Sequence, residues 1–284
     1  MTMRSQVLIA QRKVSNVVFV GFCWLATVVA LAALAAILFS LFKEGLGGMN
    51  LQIFTMDSPA PGSMGGLRNA ILGSIMMCAV AMLIAVFVGV LAGTWLAEYA
   101  GDSAYGKVVR FVNDVLLSAP SILIGLFVYQ MLVKPLHGFS GWAGAVALAF
   151  LASPVITRTT EDVLKLQPSA LREAGVALGS PLASAIRRIL WRSGQTGILT
   201  GGLLAFARIS GETAPLLFTA LNNQFFSLNM SKPMANLPTV IFNYALSAYD
   251  DWRRLAWAGA LVIAVAVLSI NIIARILARE TRRS

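Results

Sequence analysis

Charge is so unevenly spread along this chain that the apolar runs between charges mark its elements directly. Uninterrupted by Lys, Arg, Asp or Glu are residues 14–42 (29 positions), 69–97 (29), 115–133 (19), 135–157 (23) and 255–274 (20). A helix needs about 20 such residues to cross the hydrocarbon of a bilayer, and each run is of that order. A sixth run, 193–231, holds only Arg208 and Glu212 in 39 positions and reads as one more span followed by a loop. The pattern predicts an all-α, polytopic membrane protein with six transmembrane helices. The expected spans are 14–42 and then about 69–97, 115–133, 138–157, 195–221 and 255–274.

Composition agrees. Of 284 residues, 58% are hydrophobic and 12% charged, and mean hydropathy is +0.78. That is about half the charge of an average soluble domain, too little to coat a water-soluble surface, and it excludes disorder as well. The apolar stretch near the N-terminus is about twice the length of a signal-peptide core and reads as an uncleaved first helix.

An even number of spans puts both termini on one side, and positive charge says which. With the N-terminus inside, cytoplasmic segments hold fifteen Lys and Arg and the opposite face six, the distribution expected when basic loops resist translocation. The net charge of +10 is therefore a signal of topology and of contact with lipid headgroups, and needs no nucleic acid to explain it.

The chain divides into an N-terminal part, 1–68, made of the first helix and a Gly- and Pro-rich external loop, and a permeation core, 69–284. The loop, 43–68, has turn chemistry without the periodicity of a domain. Pro120 and Pro154 lie inside spans, where a missing helix bond is tolerated only against protein or a cavity. Gly89 with Gly93, and Gly197 with Gly201, put small residues one turn apart and predict close helix packing. Between spans four and five, 158–195 predicts a cytoplasmic hairpin of two short helices. Ser169 and Ser180 are the expected caps, Pro181 the first residue of the second helix, and Gly179 the left-handed corner. Leu171, Val176, Leu178, Leu182 and Ile186 exceed what so short a hairpin can bury, which points to a docked partner.

Most catalytic chemistry is missing. The segment 101–107 spells part of a phosphate-binding loop, but Val108 follows where a hydroxyl belongs and no strand precedes it. His137 stands alone, and Cys23 and Cys78 have no metal-ligand spacing, so no metal site is expected. The exceptional residues are Arg208 and Glu212 in the fifth span, expected one turn apart on one face, with Ser210 and Thr213 beside them. An ionised group at that depth costs at least ~2.5–3.5 kcal/mol. Two readings stay open: a structural Arg-Glu pair holding a membrane scaffold together, or a polar gate on an anion path. A guanidinium matches the paired oxygens of an oxyanion, and Arg158 at the inner end of span four is either a second positive step or an interfacial anchor. Glu212 as the acid or base of an intramembrane enzyme lacks any neighbouring nucleophile or metal set.

The hairpin Arg172-Glu173-Ala174-Gly175-Val176-Ala177-Leu178-Gly179 resembles the "EAA" loop of ABC importer permeases, with Gly175 in place of the second Ala. The stretches 65–73, 158–161, 207–217 and 235–238 are similar to the phosphate-specific (PstA-type) permeases of that family. The resemblance implies the MetI-like permease fold in a bacterial cytoplasmic membrane and half of a path for inorganic phosphate. It also implies coupling to an ATPase through Arg172, Glu173, Ala174, Gly175, Leu178 and Gly179. The implied partners are a homologous permease (PstC), a dimeric ATPase (PstB) that holds ATP and Mg, and a phosphate-binding protein (PstS). This chain would be non-catalytic and bind no cofactor. A permease of the same architecture for molybdate or phosphonate is the alternative within transport.

Overall fold

A computed structural model describes the backbone of residues 3–280 and the side chains of residues 12–276. Every regular element in this range is helical. In chain order they are α1 (Met3–Gly48), α2 (Gln52–Thr55), α3 (Arg68–Glu98), α4 (Ala104–Ser118), α5 (Ser121–Val128), α6 (Gly141–Lys165), α7 (Ser169–Ala177), α8 (Leu182–Ala185), α9 (Trp191–Ser210), α10 (Ala214–Thr219), α11 (Leu237–Ala245) and α12 (Asp250–Glu280). Single π-helical turns, Tyr129–Val133 and Ile186–Leu190, extend α5 and lead into α9.

Among the described residues four helices are long and apolar enough to span a membrane, and five if the bent pair α4–α5 counts as one span. The expected uninterrupted third span, 115–133, is instead broken. Its first residues belong to the end of α4, Ala119 turns extended (ψ 134°), and α5 leaves at 107° after Pro120. Proline removes an N–H and pushes the residue before it out of the helical region, which suffices to break the run. The expected fifth span, 195–221, is broken too. It stops at Ser210, turns through Gly211, Glu212 and Thr213, and restarts as α10 with Pro215 in its first turn.

The core is the parallel pair α3–α6. A Cβ on Gly89 would lie 2.8 Å from the Ile156 side chain, and one on Gly93 only 2.5 Å from the Thr157 carbonyl oxygen. Antiparallel to α6, α9 approaches as closely: a Cβ on Gly197 would meet Val163 at 2.5 Å and one on Gly201 would meet Thr159 at 2.6 Å. With no side chain at these four positions the helix backbones close up. Around the crossing, Met77, Ala81, Ala85, Leu148, Ala152, Ile156, Ala205 and Ile209 form the largest buried cluster.

The loop between α1 and α3 is more structured than its turn chemistry predicts. Ile53 of α2 and Leu67 are fully buried with Val240, Tyr244 and Leu255 in a second cluster against α11 and α12. Asn69 holds the loop down, accepting from the Ser58 N–H (3.2 Å) and hydroxyl (3.0 Å) while donating to the Asn223 carbonyl (2.8 Å).

The hairpin also differs in detail. Residues 158–165, expected in it, continue α6. Pro168 and Pro181 occupy the cap positions, one residue before and one after the expected Ser169 and Ser180, because each proline terminates the preceding coil in an extended conformation. Gly179 has φ +79° at the corner. Leu171 and Ile186, expected to be surplus, are covered by Leu164, Leu190 and Trp191; α6 runs far enough to supply that cover.

Candidate substrate path

Two helix breaks meet beside the core. Gly125 of α5 lies against Pro215 of α10, so closely that a Cβ on Gly125 would be 2.7 Å from the proline Cα. The far ends of both helices approach the start of α6: Val133 and Ala143 share a cluster, and the Ser140 N–H donates to the Thr219 carbonyl at 3.0 Å. Accordingly α5 and α10 run side by side in the same direction. α5 begins about one turn, ~6 Å, below the Gly125–Pro215 contact, and α10 only one residue, ~1.5 Å, below it. Thr219 marks the outer level of α6, and counting back six residues of α10 at ~1.5 Å each puts Gly211–Thr213 about 10 Å in from that level. Irregular backbone at such a depth is tolerated where it is covered by protein or lines a watery cavity.

Arg208 is the third-last residue of α9 and is exposed on this chain; Glu212 sits in the break and is half-buried. The one-turn, same-face arrangement expected of them does not form, because the helix ends between them. The Glu212 N–H turns back to the Ile209 carbonyl at 3.3 Å. Among the described residues neither side chain has an ion-pair partner within 4.0 Å. The structural Arg-Glu pair is therefore absent, and the guanidinium is left to be satisfied by water, an anion or another subunit. Ser210 spends its hydroxyl on the Ala207 carbonyl at 2.9 Å, and Thr213 precedes α10 with no side-chain cap. Arg158 is not a bare positive step: Asp162 lies 3.2 Å and Asp114 3.9 Å from its guanidinium.

On the hairpin, Glu173, Ala174, Val176, Ala177 and Leu178 face outward, with Leu178 85% and Val176 52% exposed. Gly175 is buried and fits where a methyl group would press on Ala185 (2.9 Å) and Ile189 (3.0 Å). Arg172, grouped with the outward residues by sequence, turns inward instead. Its guanidinium donates to both oxygens of Glu98 at 2.8 and 2.6 Å and to the carbonyls of Leu164 and Gln167. The carboxylate holds Arg172 protonated to a higher pH than an ordinary arginine.

Sequence reading missed the buried carboxylates Glu98 and Glu161, and Arg110, the partner of Glu161. Glu161 accepts from Arg110 at 2.7 Å and from Lys165 at 2.6 Å. A signal was available: Glu161 precedes Lys165 by four residues on a helix, the favourable order for a pair. For Glu98 and Arg172, 74 residues apart, no local signal exists.

Residues 85–283 match the family of binding-protein-dependent transport system inner membrane components. The chain is 51% identical over 265 residues to the phosphate transport system permease protein PstA of Haemophilus influenzae (strain ATCC 51907 / DSM 11121 / KW20 / Rd), covering 93% of this chain and 94% of the relative. It is 49% identical to the PstA of Xylella fastidiosa (strain Temecula1 / ATCC 700964), over 98% and 97% of the two chains. Its fold is similar to a chain of the inward-facing MetNI methionine ABC transporter, with TM-score 0.64 at 17% identity over 75% of this chain and 94% of that one. It also resembles a chain of a bacterial ABC transporter that imports the acidic polysaccharide alginate, with TM-score 0.56 at 16% identity over 92% and 96% of the two chains.

Proposed function

Because the chain belongs to the binding-protein-dependent transport system inner membrane component family, we propose that it is the PstA-type half of the permease in an ATP-driven importer of inorganic phosphate. Identity of about half over nearly the whole length of phosphate transport permeases supports the substrate class. The observation that carries the mechanism is Arg208, which has no ion-pair partner among the described residues, beside the broken turn 211–213. A guanidinium held without a carboxylate at that depth is costly unless something polar reaches it, and its forked donors fit two oxygens of a phosphate. Glu212, close by in sequence, accepts a hydrogen bond from a protonated phosphate oxygen and repels a fully deprotonated anion, so the site favours an anion that still carries a proton. Arg158, already engaged by Asp114 and Asp162, serves as the inner anchor of α4 on α6 and not as a second binding step.

The path is completed by a homologous permease of the PstC kind, fed by a PstS-like binding protein outside and driven by a PstB-like ATPase dimer inside, where ATP and Mg are bound. This chain supplies no catalytic group of its own. Both termini face the cytoplasm of a bacterial inner membrane, as the basic residues require. The hairpin α7–α8 presents Val176, Leu178 and Leu182 to the ATPase.

The test is uptake of radiolabelled phosphate by the whole importer carrying Arg208→Gln. Uptake falls to background while the complex still assembles, and in the unaltered importer excess phosphate competes while molybdate and phosphonate do not. Normal uptake by the variant sinks the path, and competition by another oxyanion reassigns the substrate.

A further inference from the structure

The inner ends of α3 and α6 are joined by two arginines that come from other elements. Arg110 of α4 donates to the carbonyls of Leu96 (2.9 Å) and Gly101 (3.0 Å) at the end of α3 and to the carboxylate of Glu161 on α6 (2.7 Å). Arg172 of α7 does the reverse, donating to Leu164 (2.8 Å) and Gln167 (2.9 Å) at the end of α6 and to Glu98, the last residue of α3, at 2.6 and 2.8 Å. Each guanidinium thus closes the carbonyl end of one helix, where cations are favoured, and grips a carboxylate on the other. The two carboxylates are 3% and 2% exposed, so neither has water as a substitute partner.

The hairpin's other attachments are apolar or peripheral. Leu171, Ile186 and Leu190 lie against Leu164 and Trp191, and Ser193 of α9 donates to Gln167 at 2.6 Å. These join the hairpin to α6 and α9; to α3 the same cluster adds one apolar contact, Ala97, and just past the hairpin Trp191 Nε1 donates to the Thr94 hydroxyl at 3.0 Å. The charged grip of α7 itself on α3 comes from Arg172 through Glu98, while Val176 and Leu178 of the same short helix project outward.

We propose that Glu98, acting through Arg172, is a positioning residue of the coupling machinery: it ties α3 to the hairpin, so that a push on α7 moves α3 and α6 as one body, with the clamp closed throughout the transport cycle. Dense glycine contacts already lock α3 to α6 higher up, at Gly89 and Gly93; the crossed arginines carry that lock to the cytoplasmic ends, where force enters. Without Glu98 α7 loses its charged tie to α3 and rocks against α6, and ATP is spent without moving the path.

The inference rests on the transport reading above, and the two fail differently. No phosphate uptake by the unaltered importer removes the reading, whereas normal uptake per ATP in the Glu98→Gln importer removes the clamp alone. The assay is phosphate uptake and ATP hydrolysis measured together in the reconstituted full importer. For Glu98→Gln, hydrolysis is expected to stay within about twofold while uptake per ATP falls at least tenfold. If that variant does not assemble, Arg172→Lys replaces it, keeping a charge opposite Glu98 while losing the forked grip, with the same loss expected. In a background with Cys23 and Cys78 replaced, Glu98→Cys with Arg172→Cys is expected to be uncoupled when reduced and recoupled by a short bifunctional thiol cross-linker. Cross-linking that leaves uptake per ATP at the reduced level overturns the proposal.

Discussion

Replacing Gly93 by alanine adds one methyl group at the tightest point of the α3–α6 contact. Its Cβ would lie 2.5 Å from the Thr157 carbonyl oxygen, 2.7 Å from the Thr160 Cβ and 3.1 Å from the Glu161 nitrogen. None of these is the flexible end of a side chain, so no rotamer change relieves them. Ordinary contact begins at 3.4 Å, and the helices must part by about 0.9 Å. Overpacking of this kind costs about 1–3 kcal/mol, here at the upper end, and the gain of roughly 1 kcal/mol in helix propensity offsets part of it. The net loss is about 2 kcal/mol. Gly202 on α9 has nothing within 4 Å of an added Cβ, so the same substitution there keeps only the propensity gain. The two variants should differ by about 3 kcal/mol, or roughly 6–12 °C at 2–4 °C per kcal/mol. Thermal unfolding of the detergent-solubilised chain measures this without a partner subunit near Gly202. Melting of Gly93→Ala within 2 °C of Gly202→Ala would refute the close approach as the reason for glycine.

Other expectations follow from single sites. Leu178→Asp, at an 85% exposed position, should leave the melting temperature unchanged while the ATPase no longer co-purifies with the permease; co-purification at the unaltered level removes the hairpin from the docking face. Asn69→Ala strands the Ser58 N–H and the Asn223 carbonyl, both half-buried, at about 1 kcal/mol for each lost hydrogen bond. Limited proteolysis should then cut segments 56–66 and 221–236 faster, with the spans intact; unchanged cutting rates contradict the tie.

Arg208 was legible in the sequence because it is one of two charges in a 39-residue run; its isolation is its signal. Glu98, Arg110 and Glu161 had no such signal, since charges at the ends of spans are what topology alone produces. The breaks were half legible. Pro120 and the Gly211–Pro215 stretch are ordinary helix punctuation, yet reading each run as one span put Glu212 on a helix face that does not exist. Hydropathy counts the length of an apolar run and is blind to a bend of 107° within it.

Sequence alone determined the all-helical membrane architecture, the corner at Gly179 and the isolation of Arg208 in its run. Each depends on the transfer free energy of a run or on the backbone limits of a single proline or glycine, quantities that need no knowledge of neighbours. Only the tertiary structure decided that Arg208 and Glu212 do not pair with each other or with any other described residue, that Arg158 is shared between two aspartates, and that Arg172 faces Glu98. Ion pairing falls off within a few ångströms, and which side chains come that close depends on how distant segments pack, so residues 74 positions apart meet only once α3, α6 and the hairpin are assembled.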